Sequence, residues 1–356
     1  MTTARIRTEQ FCQRFGLGVP ILMAPMAGSC PPSLAIAVAN AGGLGACGVL
    51  HMQATDIAAW VAQFRGQAQG AFQLNVWVPD PSPVRDAQHE AQVRDFLSNW
   101  GPAVSSEAGN VTLMDFAAQC EAMLAVNPPI VSSIMGLYPP DFVKQLKARG
   151  IAWFATVTTV AEARAAQAAG ADVLVAQGME AGGHRGCFEA GQAQARQVGL
   201  FSLLPAVVDA VKIPVVATGG IGDARGVAAA LTLGASAVQI GTALLRSPEA
   251  KIDPAWASAL AKAAPEDTVV TRAFSGRAGR SVVTDYVRAA EAATAPTPAP
   301  YPVQRGLTSG MRKAAQQSGD SQKMQMWAGQ SAGLASSEPA ADIVRSLWNG
   351  AQQLLR

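Results

Sequence analysis

The chain has 356 residues, 49% of them hydrophobic and 15% charged, with 34 Gly and 22 Pro, a length that suits one large domain or two moderate ones. Its 27 basic and 25 acidic residues leave a formal charge of +2 with no basic stripe, which excludes a phosphate-reading nucleic-acid partner, and the high apolar content excludes disorder over most of the chain. No stretch reaches the roughly 20 apolar residues of a membrane span, the N-terminal residues lack the unbroken apolar core of a secretory signal, and five scattered cysteines without a CxxC pair argue against a disulfide framework or structural zinc; a soluble cytoplasmic protein is expected.

In chain order, short apolar runs recur at Pro20–Pro25, Leu44–Val49, Phe72–Val78, Ile130–Met135, Ile151–Val157, Val173–Gly178, Pro214–Thr218 and Ala237–Thr242. Runs that are apolar throughout, without alternation, are what strands buried on both faces look like, and parallel sheets bury both faces. Ala-rich helical patterns fill the intervals, such as Thr159–Ala169 and Ala224–Leu233, ending at Gly170 and Gly234 where a C-cap glycine belongs. Eight β-then-α units predict a (β/α)8 TIM barrel; the repeat count argues against an open doubly wound sheet.

Residues 79–129 form one long interval, room for a helix and an excursion. Past the eighth run, Asp267–Arg280 reads as a strand and turn, Ala292–Pro302 as an extended Pro/Ala linker, and Ala340–Leu355 as an amphipathic helix. The predicted division is a barrel over 1–245, a smaller, mostly helical cap inserted after strand eight over 246–335, and a C-terminal helix over 336–356 returning to the barrel.

Barrel enzymes work at the C-terminal ends of their strands, with phosphate commonly held after strands seven and eight. There the chain places Gly219-Gly220-Ile221 and Gly241-Thr242. Such turns let main-chain N–H groups approach an anion, and Thr242 adds a hydroxyl. At the end of the sixth strand, Gln177–Gly186 sets an amide able to meet a flat heterocycle (Gln177), a glycine pair permitting close approach (Gly182, Gly183), and His184. With an ordinary pKa of about 6.5, an imidazole there can take a proton from a carbon acid. His51 follows the second strand without a supporting pattern, and His89, among Asp86, Gln88 and Glu90, reads as a solvated face. Asn75 interrupts an apolar strand, so it either meets a ligand or ties strands together; Met26 either packs on a ring face or fills core. A phosphate tail with a planar polar ring describes flavin mononucleotide (FMN). The chain has no GxGxxG after its first strand, no HExxH or carboxylate cluster for a metal, and no GxSxG elbow.

The segments 24–28 (APMAG), 74–79 (LNVWVP), 177–186 (QGMEAGGHRG), 214–226 (PVVATGGIGDARG), 238–245 (VQIGTALL), 271–277 (TRAFSGR) and 327–330 (WAGQ) together resemble the bacterial class I nitronate monooxygenases, formerly called 2-nitropropane dioxygenases, over residues 17 to about 335. The resemblance implies FMN held by Asn75, Gln177, Gly182, Gly183, Gly219, Gly220, Gln239, Ile240, Gly241 and Thr242, with main chain around Pro25 and Met26, and His184 as catalytic base. It implies oxidation of alkyl nitronates, propionate 3-nitronate among them, by dioxygen through a flavin semiquinone to carbonyl compounds and nitrite, without NAD(P)H, in a monomer or homodimer. An NAD(P)H-dependent FMN reductase of the same superfamily is the alternative. Tyr301, Arg305, Lys313 and Trp327 are the candidate substrate contacts. The chain departs from the family in having only Tyr138, Tyr286 and Tyr301 as tyrosines and in the strand-four ending SSIMGLYPP, departures that bear on substrate choice.

Overall fold

A computed structural model describes residues 3–355. All eight predicted runs are strands of one parallel sheet. In chain order they are β1 (Ile21–Met23), β2 (Gly45–Gly48), β3 (Phe72–Trp77), β4 (Ile130–Ile134), β5 (Ala152–Val157), β6 (Val173–Gln177), then β8 (Val215–Thr218) and β9 (Ala237–Ile240), after a two-residue β7 (Gly183–His184) outside the barrel. The order β1-β9-β8-β6-β5-β4-β3-β2 closes on itself through a parallel bridge between Leu22 and Leu44, with Met23 N–H donating to the Leu44 carbonyl at 2.9 Å. This is the (β/α)8 barrel expected from the repeat count. Among the described residues no helix is long and apolar enough to cross a membrane.

The barrel strands are buried almost throughout because helices cover their outer faces while side chains fill the lumen. The helices end as their sequences dictate: Gly170 and Gly234 take φ of 97° and 110° just past Val160–Ala168 and Ala224–Thr232, a conformation that only glycine adopts without strain. The helix Thr3–Phe15, not anticipated from sequence, puts Phe11 against Phe154 from β5, with Leu17, Leu22, Leu44 and Val175 in the same cluster. The predicted C-terminal helix is present at Ala340–Leu354 and packs on the helices Ala224–Thr232 and Pro32–Asn40, burying Ile343, Val344 and Leu347.

After β9 the chain forms a hairpin of β10 (Thr268–Thr271) and β11 (Gly279–Val282), followed by short helices at Asp285–Ala290, Val303–Leu307 and Ser309–Ser318. This region is not a self-contained insert after the eighth barrel strand. Its apolar cluster of Phe274, Tyr286, Val287, Val303, Leu307 and Met311 is completed by Val93 and Leu97 from the helix Ala87–Ser98 in the 79–129 excursion. Its three-stranded sheet is completed by β7, which pairs antiparallel with β11 in the register Gly279↔His184 and Arg280↔Gly183. Packing thus crosses the predicted boundary at 245. His89, read as solvated, is half-buried, its Nε2 lying 2.8 Å from the Thr297 carbonyl of the Pro/Ala segment.

Candidate active site

A cavity of about 480 Å³ opens at the C-terminal ends of the barrel strands beneath the hairpin and short helices. Pro25, Met26, Asn75, Gln177, Gly182, Gly183, His184, Gly219, Gly220, Gln239, Ile240, Gly241, Thr242, Tyr301, Arg305 and Trp327 all line it. Lys313 does not. It is exposed on the helix Ser309–Ser318, whereas its neighbour Arg312 lines the cavity. Arg312 and Lys313 are consecutive on one helix, so their side chains leave it about 100° apart, and it is Arg312 that faces the cavity.

At the strand ends, Gly219 and Gly220 take φ of 111° and 70°. Among the described residues no acceptor takes the main-chain N–H of Gly219, Gly220 or Gly241, although all three glycines line the cavity. Three unpaired donors together at the mouth of a barrel are what a phosphate would satisfy. The Thr242 hydroxyl accepts from Gly329 N–H at 3.0 Å, tying the strand-nine end to the segment 327–330, and retains its own proton for a ligand. A Cβ on Gly182 would come within 2.5 Å of Gly329 N, so the close approach required there is between two chain segments.

Polar groups face the middle of the cavity. Asn75 ties strands together, donating to Ser132 Oγ on β4 at 3.0 Å, and also lines the cavity. Gln177 spends most of its amide on its own loop, donating to the His184 carbonyl at 3.1 Å and accepting from Gly186 N–H at 2.8 Å, with one N–H left over. Met26 lines the cavity and packs against the core; its sulfur would be 3.3 Å from a Cβ on Gly241. These features fit FMN: free main-chain donors for a phosphate, and amide and thioether groups for a flat polar ring. Among the described residues no group of three His, Cys, Asp or Glu is placed to hold a metal ion.

His184 sits on β7, so its position is set by the hairpin of the distant segment 268–282. Its ring lies between Trp77 and Trp327, each centroid 4.7 Å away, and its Nε2 is 2.8 Å from Ser275 Oγ. Burial, then the charges of Arg277 and Arg305 and the neighbouring His51, lower its pKa to about 3, so the imidazole is neutral. His51 also lines the cavity, its pKa lowered to about 4 by burial and by Arg305 and Arg312. Arg312 donates to Thr308 Oγ1 at 3.2 Å, Gln325 Oε1 at 3.2 Å and the Arg305 carbonyl at 2.9 Å, all neutral acceptors, and burial brings its pKa down to about 10. Neither Arg305 nor Arg312 belongs to any ion pair among the described residues. Arg277, by contrast, is buried and paired with Asp80. Of the three tyrosines only Tyr301 reaches the cavity; Tyr138 and Tyr286 are core residues whose hydroxyls donate to the carbonyls of Ser132 and Ala273. Sequence reasoning singled out neither Trp77, Ser275 nor Arg312.

A family model described as nitronate monooxygenase matches residues 10–350. A probable nitronate monooxygenase of Staphylococcus aureus (strain MSSA476) is 36% identical over 351 residues, 98% of each chain. Among solved structures, a nitroalkane oxidase from Streptomyces ansochromogenes is 35% identical with a TM-score of 0.86, covering 96% of this chain and 98% of that one. FabK from Thermotoga maritima is 29% identical with a TM-score of 0.76, covering 97% and 96%. The chain is an oxidoreductase belonging to the nitronate monooxygenase family.

Proposed function

We propose that this chain is an FMN-dependent nitronate monooxygenase that oxidises alkyl nitronates, propionate 3-nitronate among them, with dioxygen to carbonyl compounds and nitrite. The observation that carries the reading is one cavity holding both unpaired glycine N–H groups at the ends of β8 and β9 and a neutral imidazole between two tryptophans. When bound, FMN supplies the electron-accepting ring. Gly219, Gly220, Gly241 and Thr242 hold its phosphate, and Met26, Asn75 and the spare N–H of Gln177 address the ring, with Gly182, Gly183, Gln239, Ile240 and the main chain at Pro25 completing the seat.

Arg305 and Arg312 line the cavity without belonging to an ion pair, which suits an anionic substrate. A nitronate arrives negatively charged, and propionate 3-nitronate carries a carboxylate besides. Tyr301 and Trp327 line the same cavity, and Trp77 and Trp327 pack against the His184 ring. For a neutral nitroalkane, His184, at the cavity wall, is the base that takes the α-proton.

The test is aerobic turnover of propionate 3-nitronate by FMN-loaded protein: nitrite release with oxygen consumption and without NADH is expected. Oxidation of NADH with no nitrite from the nitronate overturns the reading in favour of an NAD(P)H-dependent FMN reductase. The catalytic assignment of His184 is tested separately by His184→Asn, which must lose nitrite production from a neutral nitroalkane.

A further inference from the structure

The Ser275 hydroxyl has three neighbours. Its Oγ is 2.8 Å from His184 Nε2, 3.0 Å from the Arg277 carbonyl and 3.3 Å from Arg277 N. A hydroxyl has one proton and two lone pairs, and a carbonyl only accepts. The arrangement that satisfies every group has Ser275 donating to the Arg277 carbonyl while its lone pairs accept from Arg277 N–H and from Nε2–H of the imidazole. Turning the hydroxyl proton toward Nε2 instead forfeits the bond to the carbonyl at a site where Ser275 is 1% exposed and little water reaches.

The geometry is held from several sides. β7 and β11 pair His184 with Gly279, only four residues beyond Ser275. The turn between them passes through Gly276 at φ 86°, where a Cβ would fall 2.4 Å from the Ala299 carbonyl. Trp77 and Trp327 restrict rotation of the ring. No residue among those described engages Nδ1, and His184 lines the cavity.

We propose that Ser275 is a positioning residue that fixes His184 as the Nε2–H tautomer, leaving the Nδ1 lone pair as the base, and that it thereby decides whether a neutral nitroalkane is a substrate beside its nitronate. The inference rests on the function proposed above. In the step it governs, the α-C–H bond of the nitroalkane breaks, the proton goes to Nδ1, and the electron pair moves into the new C=N bond with the charge on the nitro oxygens. The imidazolium so formed keeps its Nε2–H on Ser275. A nitronate enters already deprotonated and skips this step. The charged and titratable groups facing the ring are Arg277 from the hairpin turn, Arg305 from the helix Val303–Leu307 and His51 from beyond β2; the carboxylate nearest this set, Asp80, is engaged by Arg277.

Two measurements test this. The first needs no turnover: in protein labelled with 15N-histidine, His184 is expected to show a protonated Nε2 and an unprotonated Nδ1, and Ser275→Ala to show mixed tautomers. A protonated Nδ1 in the unsubstituted protein overturns the proposal. The second compares kcat/KM for nitroethane and ethyl nitronate. Ser275→Ala is expected to lower the nitroethane-to-nitronate ratio on the order of 10- to 100-fold and to raise the deuterium isotope effect on α-deuterated nitroethane, with Ser275→Thr restoring both. Should S275A not fold, Ser275→Cys, similar in volume but a weak hydrogen-bonding group, carries the same expectation. An unchanged ratio overturns the proposal, as does an unsubstituted enzyme that uses the nitronate but not nitroethane. If neither substrate reacts, the proposed function itself fails, and the tautomer spectrum still decides the role of Ser275.

Discussion

Replacing Gly219 with alanine probes the phosphate cradle at its most constrained point. The residue takes φ of 111°, outside the regions open to L side chains, and a Cβ would come within 3.1 Å of Ala181 N and 3.2 Å of the Gly178 carbonyl. A side chain held in such a conformation costs about 1–3 kcal/mol. Without a ligand the turn relieves that strain by leaving the conformation; a bound phosphate requires it back. The cost therefore appears in affinity, as a roughly 5- to 150-fold weaker FMN dissociation constant. The assay is titration of flavin-stripped protein by fluorescence quenching, with Tm recorded on the same samples. Gly66→Ala is the control, because Gly66 is exposed near the end of a helix, a Cβ there would meet nothing within 4 Å, and FMN affinity should not respond to it. A G219A protein that binds FMN as tightly as the parent while losing Tm would refute the reasoning, because the strain would then be borne by the fold alone.

Further outcomes follow from the same geometry. Arg312→Gln is expected to raise KM for propionate 3-nitronate about tenfold or more, and much less for ethyl nitronate, as loss of a charged hydrogen bond predicts; Lys313→Gln should leave both unchanged, being exposed. His184 has a folded pKa near 3, below the unfolded value of about 6.5, so the unfolded chain binds more protons between those limits and Tm should fall as pH drops from 6.5 toward 4. His184→Asn should flatten that slope; an unaltered slope would show that the imidazole is not held neutral. Asp80→Asn leaves the guanidinium of Arg277, 1% exposed, without its counter-charge, and should cost about 3 kcal/mol in urea unfolding; a change below about 1 kcal/mol would contradict the assigned burial.

The barrel was legible because the strands are largely apolar without alternation and several of the helices between them, Val160–Ala168 and Ala224–Thr232 among them, end at a glycine that the backbone requires. The cavity was legible because glycines at strand ends are placed by the local chain. What escaped depends on contacts between distant segments. Nothing near His184 indicates that it forms a strand with residues 279–280, or that Ser275, some ninety positions away, meets its ring. The cap core needs Val93 and Leu97 from a helix before the fourth strand, which no local periodicity announces. Lys313 was named without Arg312 beside it, and which of two consecutive residues faces the cavity depends on how the helix Ser309–Ser318 packs. Trp77 sat inside a run read as strand and was given no role, yet as the last residue of β3 it lines the barrel mouth.

The most direct measurement is the visible spectrum of the purified protein, followed by anaerobic mixing with propionate 3-nitronate and, separately, with NADH. The account predicts a yellow protein whose flavin bands change on adding the nitronate and do not respond to NADH. A colourless protein that takes up no FMN, or a flavin bleached by NADH and indifferent to the nitronate, would contradict it.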